Sequence, residues 1–393
     1  MIADLHCHYP MHLLPGDRDP LGSKVSWAER LRDRLQADVT GWLSHILNDR
    51  NWDSNWRVDL GGLEDGGAGI VCSVLYWPPA ELDFTKKYAA PPLPIYFDDL
   101  THQLNYVEAD LRRQDPHGRR VVVAKHPSDL EEKNRVVFVH CVEGGFHLGP
   151  DVSEIEKNVE WLARHGVFYI TLAHLFFRQV ATNAPAIPML SDGEYNRIFR
   201  QPDEGLTKLG KAAVQAMYKY KVLIDISHMS ERAIADTFKL VEKLDKDSGA
   251  DPEDFPLIAT HVGMRDAQGT VQAYNLSNET AVRIQKRGGL IGLITAQHQL
   301  GKTRSAAESR KLLCRHLASI GALGNGHAST AIGSDIDGFI RPTLSGFERA
   351  ADYTKLEKWI RECQPGDAEA ILHGNARRVI KRAFEGRLVT PNA

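Results

Sequence analysis

No apolar run in this chain approaches the roughly 20 residues that a membrane-spanning helix needs. Charge of one sign is also scarce. The 48 Lys and Arg against 51 Asp and Glu leave a formal net charge of −3. A general nucleic-acid binder carries a basic stripe, and none is present. Cysteines are few, odd in number and widely spaced: Cys7, Cys72, Cys141, Cys314 and Cys363. Three of them lie in apolar strand-like runs. That pattern argues against a disulfide framework and for reduced, buried thiols in a cytoplasm. A signal peptide is not expected, because a strand-like segment bearing chemistry begins at Ile2. No linker, repeat or low-complexity segment divides the sequence.

What is present is alternation. Strand-like runs (2–8, 68–77, 120–124, 136–143, 167–173, 222–227, 257–260, 289–295, 330–334) alternate with helical patterns. That is the signature of parallel βα units, and about eight such units over 393 residues predict one (β/α)8 barrel as a single domain. Residues 9–66 form a long insertion after the first strand, a lid or an interface segment, with a possible helix over 27–48. Ser153 with Glu156 reads as a capping box for a helix over 153–164. Residues 175–205 read as a long loop, and His140 as a core histidine.

The chemistry stands at the strand tips. Val136 to Val142 is a buried-strand run ending in Glu143, with Gly144 and Gly145 directly behind it. Residues i and i+2 of a strand share a face, so His6 and His8 point the same way. His174, His228, His261 and Asp335 end other strands. In a barrel all of these tips open onto one rim, where the active site lies. Histidines with a carboxylate suit zinc or a similar divalent ion. Four histidines plus Glu143 exceed what one four-coordinate ion can use, so two ions bridged by the carboxylate are expected. Asp335 would then act as general base and acid, and His174 would polarise the scissile carbonyl.

These residues resemble the membrane dipeptidase (renal dipeptidase) family of the amidohydrolase superfamily. The likeness lies in Glu143-Gly144-Gly145, in Gly205-Leu206-Thr207 running into Leu223-Ile224-Asp225-Ile226-Ser227-His228, in Gly333-Ser334-Asp335-Ile336-Asp337-Gly338, and in Gly374-Asn375-Ala376. The resemblance implies one ion on His6, His8 and Glu143, a second on Glu143, His228 and His261, zinc as the metal, dipeptides as substrates and a homodimer. Two positions depart from the family pattern. Its first motif reads His-x-Asp, where this chain has His6-Cys7-His8. Its carboxylate-clamping arginine stands before an asparagine, where this chain has Tyr274-Asn275. A tyrosine gives one hydrogen bond but no charged bidentate clamp. The expectation is therefore that an ordinary dipeptide is not the best substrate, with Arg178 and Arg265 as replacement clamps. Two other functions share these residues: a lactone or phosphoester hydrolase, and a non-catalytic metal-binding barrel.

Overall fold

The structure, a computed structural model, describes residues 1–13, 56–82, 86–132, 134–267, 272–340, 342–385 and 387. The helix expected over 27–48 lies outside these residues, as does most of the 9–66 segment.

Among the described residues there are nine parallel strands: β1 (Ile2–Cys7), β2 (Ala68–Leu75), β3 (Val121–Val123), β4 (Val136–Glu143), β5 (Tyr169–Thr171), β6 (Leu223–Asp225), β7 (Ile258–Val262), β8 (Leu290–Leu293) and β9 (Thr330–Ile332). They run β2-β1-β9-β8-β7-β6-β5-β4-β3, and β2 also pairs with β4. That pairing, Ile70 opposite Val137 through Leu75 opposite Val142, closes an eight-stranded barrel. Short β3 lies outside the ring, against the first half of β4. The barrel and its helices match the (β/α)8 fold expected from the alternation.

Each strand of the ring is buried on both faces, which is why these strands read as continuous apolar runs rather than alternating ones. The helices cover them with amphipathic faces. The helix Val152–Arg164 buries Ile155, Val159, Leu162 and Ala163, spaced to lie on one side. Its cap corrects the sequence reading. Asp151, in extended conformation, accepts from the Ser153 and Glu154 amides at 2.8 and 3.0 Å, so the helix starts one residue earlier and Ser153 lies inside it. A second correction falls in 175–205, where Asp192–Ile198 is helical. Ser191 and Glu194 cap it reciprocally, a capping box overlooked in a polar stretch.

A third correction concerns the cysteines. Cys7, Cys72 and Cys141 are free and buried, as their apolar runs imply. Cys314 and Cys363 are bridged, their Cα atoms 5.3 Å apart, joining the helices Ala306–Gly321 and Tyr353–Cys363. Their distance of 49 residues hid this pair, because helix packing creates the proximity and spacing does not reveal it. Among the described residues, no helix is long and apolar enough to cross a membrane.

Candidate metal centre

The closed barrel delivers chemistry from six strands to one rim. His6 lies in β1 and His8 one residue beyond it. Glu143 ends β4, His261 lies in β7, and His174, His228 and Asp335 follow β5, β6 and β9 by three residues each. Two of these side chains are carried on strained backbone. His228 and Asp335 have φ of 64° and 58°, a left-handed conformation that non-glycine residues adopt at some cost and that turns the side chain inward from the strand end. Gly144 (φ 96°) permits the sharp turn behind Glu143. Gly338 lies so close to Asp335 that a Cβ there would fall 1.8 Å from Oδ1 of the carboxylate. The Asp335 amide donates to the His6 carbonyl at 2.8 Å and the His8 amide to the Ile336 carbonyl at 3.1 Å, locking the two ends together.

Glu143 is the hub. Its Oε1 lies 3.4 Å from His6 Nε2, 3.5 Å from His228 Nε2 and 3.5 Å from His261 Nε2. Its Oε2 lies 3.3 Å from His8 Nε2 and 3.4 Å from His174 Nε2. Asp335 Oδ1 reaches His8 Nε2 at 3.2 Å. All seven side chains are buried. Yet both Glu143 oxygens, His6 Nε2, His8 Nε2 and Asp335 Oδ1 lack hydrogen-bond partners. So many orphaned polar atoms facing inward would cost several kcal/mol in a site meant to stay dry of ions. Three-residue groups able to hold a divalent ion include His6 with His8 and Glu143, and Glu143 with His228 and His261. His228 Nε2 and His261 Nε2 are 2.9 Å apart, near the roughly 3.3 Å edge of a tetrahedron with zinc–nitrogen bonds. The donor set fits divalent metal.

The electrostatics agree at Glu143, His228 and His261, whereas at His8 burial is outweighed by Asp335 and Glu143, which push it up to about 10. Burial works against ionising Glu143, but the surrounding histidines, His174 and His6 foremost, hold its carboxyl well below the usual range. Burial, assisted by the neighbouring imidazoles, pushes His228 and His261 well below the usual histidine range, toward the neutral form that binds metal. Burial raises Asp335, in the direction that suits a group that must carry a proton.

The supporting shell contains a residue that the sequence reading missed. Glu81, buried at the end of a one-turn helix (Pro78–Glu81), accepts from His174 Nδ1 at 2.6 Å and from the Tyr76 hydroxyl at 2.7 Å. Its other oxygen takes the Phe176 amide at 2.8 Å. A Pro-Pro pair before an acid in a loop gave no signal of this role. His140, as expected, is a buried core histidine away from this cluster, 3.8 Å from Glu108.

The substrate-side expectations fare unequally. Tyr274 packs edge-on against His228, and its hydroxyl donates to the His261 carbonyl at 2.6 Å. That proton is committed. Arg265 pairs with Glu231 and donates to the Ala273 carbonyl at 2.8 Å, so its guanidinium is engaged away from the hub. Arg178 donates to the Ala80 carbonyl at 2.9 Å and the Tyr96 hydroxyl at 3.0 Å, and its buried Nε has no partner. Beside His174, His228 and Asp335, the recess is walled mainly by apolar residues including Leu175, Ile187, Phe339 and Ile340.

A parallel eight-stranded barrel with this rim defines a metal-dependent hydrolase. Residues 23–390 match the family described as Membrane dipeptidase (Peptidase family M19), and the chain belongs to it as a dipeptidase-like hydrolase. The match reaches into the segment set apart as an insertion. Solved structures share the fold. A dipeptidase AC of the same family is 18% identical with a TM-score of 0.68, each chain covered to 98%. A metallo peptidase from Rhodobacter sphaeroides, liganded with a phosphinate mimic of the dipeptide L-Ala-D-Ala, is 18% identical, with coverage of 97% and 99% and a TM-score of 0.67. The probable dipeptidase PvdM from Pseudomonas aeruginosa is 16% identical, with coverage of 88% and 98% and a TM-score of 0.61.

Proposed function

We propose that this protein is a single-domain hydrolase that cleaves an amide bond of a small dipeptide-like substrate with two divalent ions, zinc in both sites. His6, His8 and Glu143 hold one, and Glu143, His228 and His261 the other. Ions held there supply Lewis acidity and a nucleophile at neutral pH. The observation that carries this reading is the convergence of orphaned imidazole and carboxylate atoms on Glu143.

The chain's own groups do the rest. Asp335 takes a proton from the attacking water and returns it to the leaving nitrogen as the C–N bond breaks. Glu81 orients His174 through Nδ1, leaving Nε2 to meet the carbonyl oxygen as it gains charge. The apolar walls exclude bulk water, which strengthens these contacts. With Tyr274 and Arg265 engaged elsewhere, Arg178 is the group assigned to a substrate carboxylate. Because Tyr274 stands where the family has its carboxylate-clamping arginine, an ordinary dipeptide is not expected to be the best substrate. A homodimer is carried over from the family resemblance.

Metal analysis combined with a panel of dipeptides, esters and lactones tests the reading. Zinc-dependent amide hydrolysis abolished by Asp335→Asn is expected. Metal-dependent turnover of esters or lactones alone would replace the amide with another bond, and no metal-dependent turnover would overturn the proposal.

A further inference from the structure

Beneath the hub, one hydroxyl touches a ligand of each proposed ion. Thr260 Oγ1, in β7, lies 2.9 Å from His6 Nδ1 and 2.8 Å from His261 Nδ1, and donates to Asp225 Oδ2 at 2.7 Å. The direction of that last bond decides the other two. Asp225 is buried at the end of β6, and its carboxylate collects five donors: the Thr171 and Thr260 hydroxyls on Oδ2, and the Ser227 amide, Ser227 hydroxyl and Thr260 amide on Oδ1. An ionised carboxylate can only accept. A threonine hydroxyl has one proton and two lone pairs. With the hydroxyl proton directed at Asp225, both lone pairs face the histidines, so both Nδ1 atoms must donate. Each ring then carries its proton on Nδ1 and its lone pair on Nε2, the atom that faces Glu143. Tyr169 repeats the logic at His6 alone. Its hydroxyl donates to the Leu5 carbonyl at 2.8 Å and meets His6 Nδ1 at 2.9 Å as an acceptor.

The other two histidine ligands lack this support, since Nδ1 of His8 and of His228 has no partner. Each proposed site therefore pairs one preset imidazole with one that is not preset: His6 with His8, and His261 with His228.

We infer that Thr260, held by Asp225, is a positioning residue shared by both metal sites. It fixes the tautomer and ring orientation of one ligand in each, so that its loss weakens both ions together. The inference rests on the two-ion reading above. Outer partners of metal-binding histidines are typically worth 10–100-fold in affinity.

The test uses the full-length zinc-loaded protein. Chelator competition measures zinc affinity at both sites, and long-range ¹H–¹⁵N spectra of the imidazoles report which ring nitrogen carries the proton. Thr260→Val should weaken both sites about 10–100-fold and Thr260→Ser should restore them. Tyr169→Phe should weaken only the site containing His6. The wild-type spectra should show His6 and His261 protonated on Nδ1, a readout that survives if Thr260→Val does not fold. A proton on Nε2 in either ring, unchanged affinities in a folded Thr260→Val, or loss at one site alone would overturn the inference. Wild-type protein that binds no zinc would instead refute the two-ion reading, and the spectra would still judge the tautomers.

Discussion

Glu81 offers the sharpest test of how this site works, because it touches the chemistry through a single atom. Its carboxylate is buried and lies 2.6 Å from His174 Nδ1, while His174 Nε2 faces the hub. In Glu81→Gln the volume is kept and the Phe176 amide retains an acceptor, but the negative charge behind His174 is gone. A hydrogen bond to a charged group contributes about 1.5–3 kcal/mol. If His174 steadies charge that develops on the substrate, that interaction is strongest as the C–N bond breaks. Its loss then falls on kcat rather than KM, by roughly 10- to 150-fold at 1.36 kcal/mol per decade. Steady-state kinetics on the best substrate of the panel, with zinc content measured in parallel, gives the answer. A Glu81→Gln enzyme with full zinc and wild-type kcat would refute the role given to His174. A rise in KM alone would make Glu81 a substrate-binding group instead.

The remaining predictions address metal, pH and crosslink. Removing zinc should lower unfolding stability by about 2.7 kcal/mol per site when free metal stood 100-fold above its Kd, measured by denaturant titration with and without chelator; unchanged midpoints would mean that no metal is bound. His316 is buried, accepts from the Met264 amide at 3.1 Å and faces the Leu300 carbonyl at 3.3 Å, and burial pushes it down to about 4. The unfolded state then binds the extra proton between pH 6.5 and about 4, so this contribution is full above pH 6.5 and is lost as pH falls. From pH 7 to 5 the loss is about 2 kcal/mol; His316→Gln should remove that slope, and an identical slope would sink the assignment. Breaking the Cys314–Cys363 bridge, which spans 49 residues, should cost up to about 4 kcal/mol of stability by loop entropy while leaving kcat unchanged, as read from Cys314→Ser with Cys363→Ser.

How much of this was legible beforehand follows from which interactions are local. The barrel was, because parallel strands buried on both faces must be apolar runs, and their spacing by amphipathic helices is periodic. Placing His6, Glu143, His228, His261 and Asp335 on one rim needed only the rule that strand tips share a face of the barrel. Apart from two local helix starts, capped by Asp151 and Ser191, what escaped depends on contacts between segments far apart in the chain. Glu81 meets His174 across 93 residues, and Cys314 meets Cys363 across 49. Tyr274 shows the same limit in another form. Its identity marked it as a lost clamp, but only the structure shows its hydroxyl committed to the carbonyl of His261, a proposed metal ligand. The exchange of arginine for tyrosine at that position therefore does more than delete a charge. It ties Tyr274 to β7, so Tyr274→Arg should also release the His261 backbone, and a gain of dipeptide turnover should be accompanied by weaker metal binding at the proposed site beneath it.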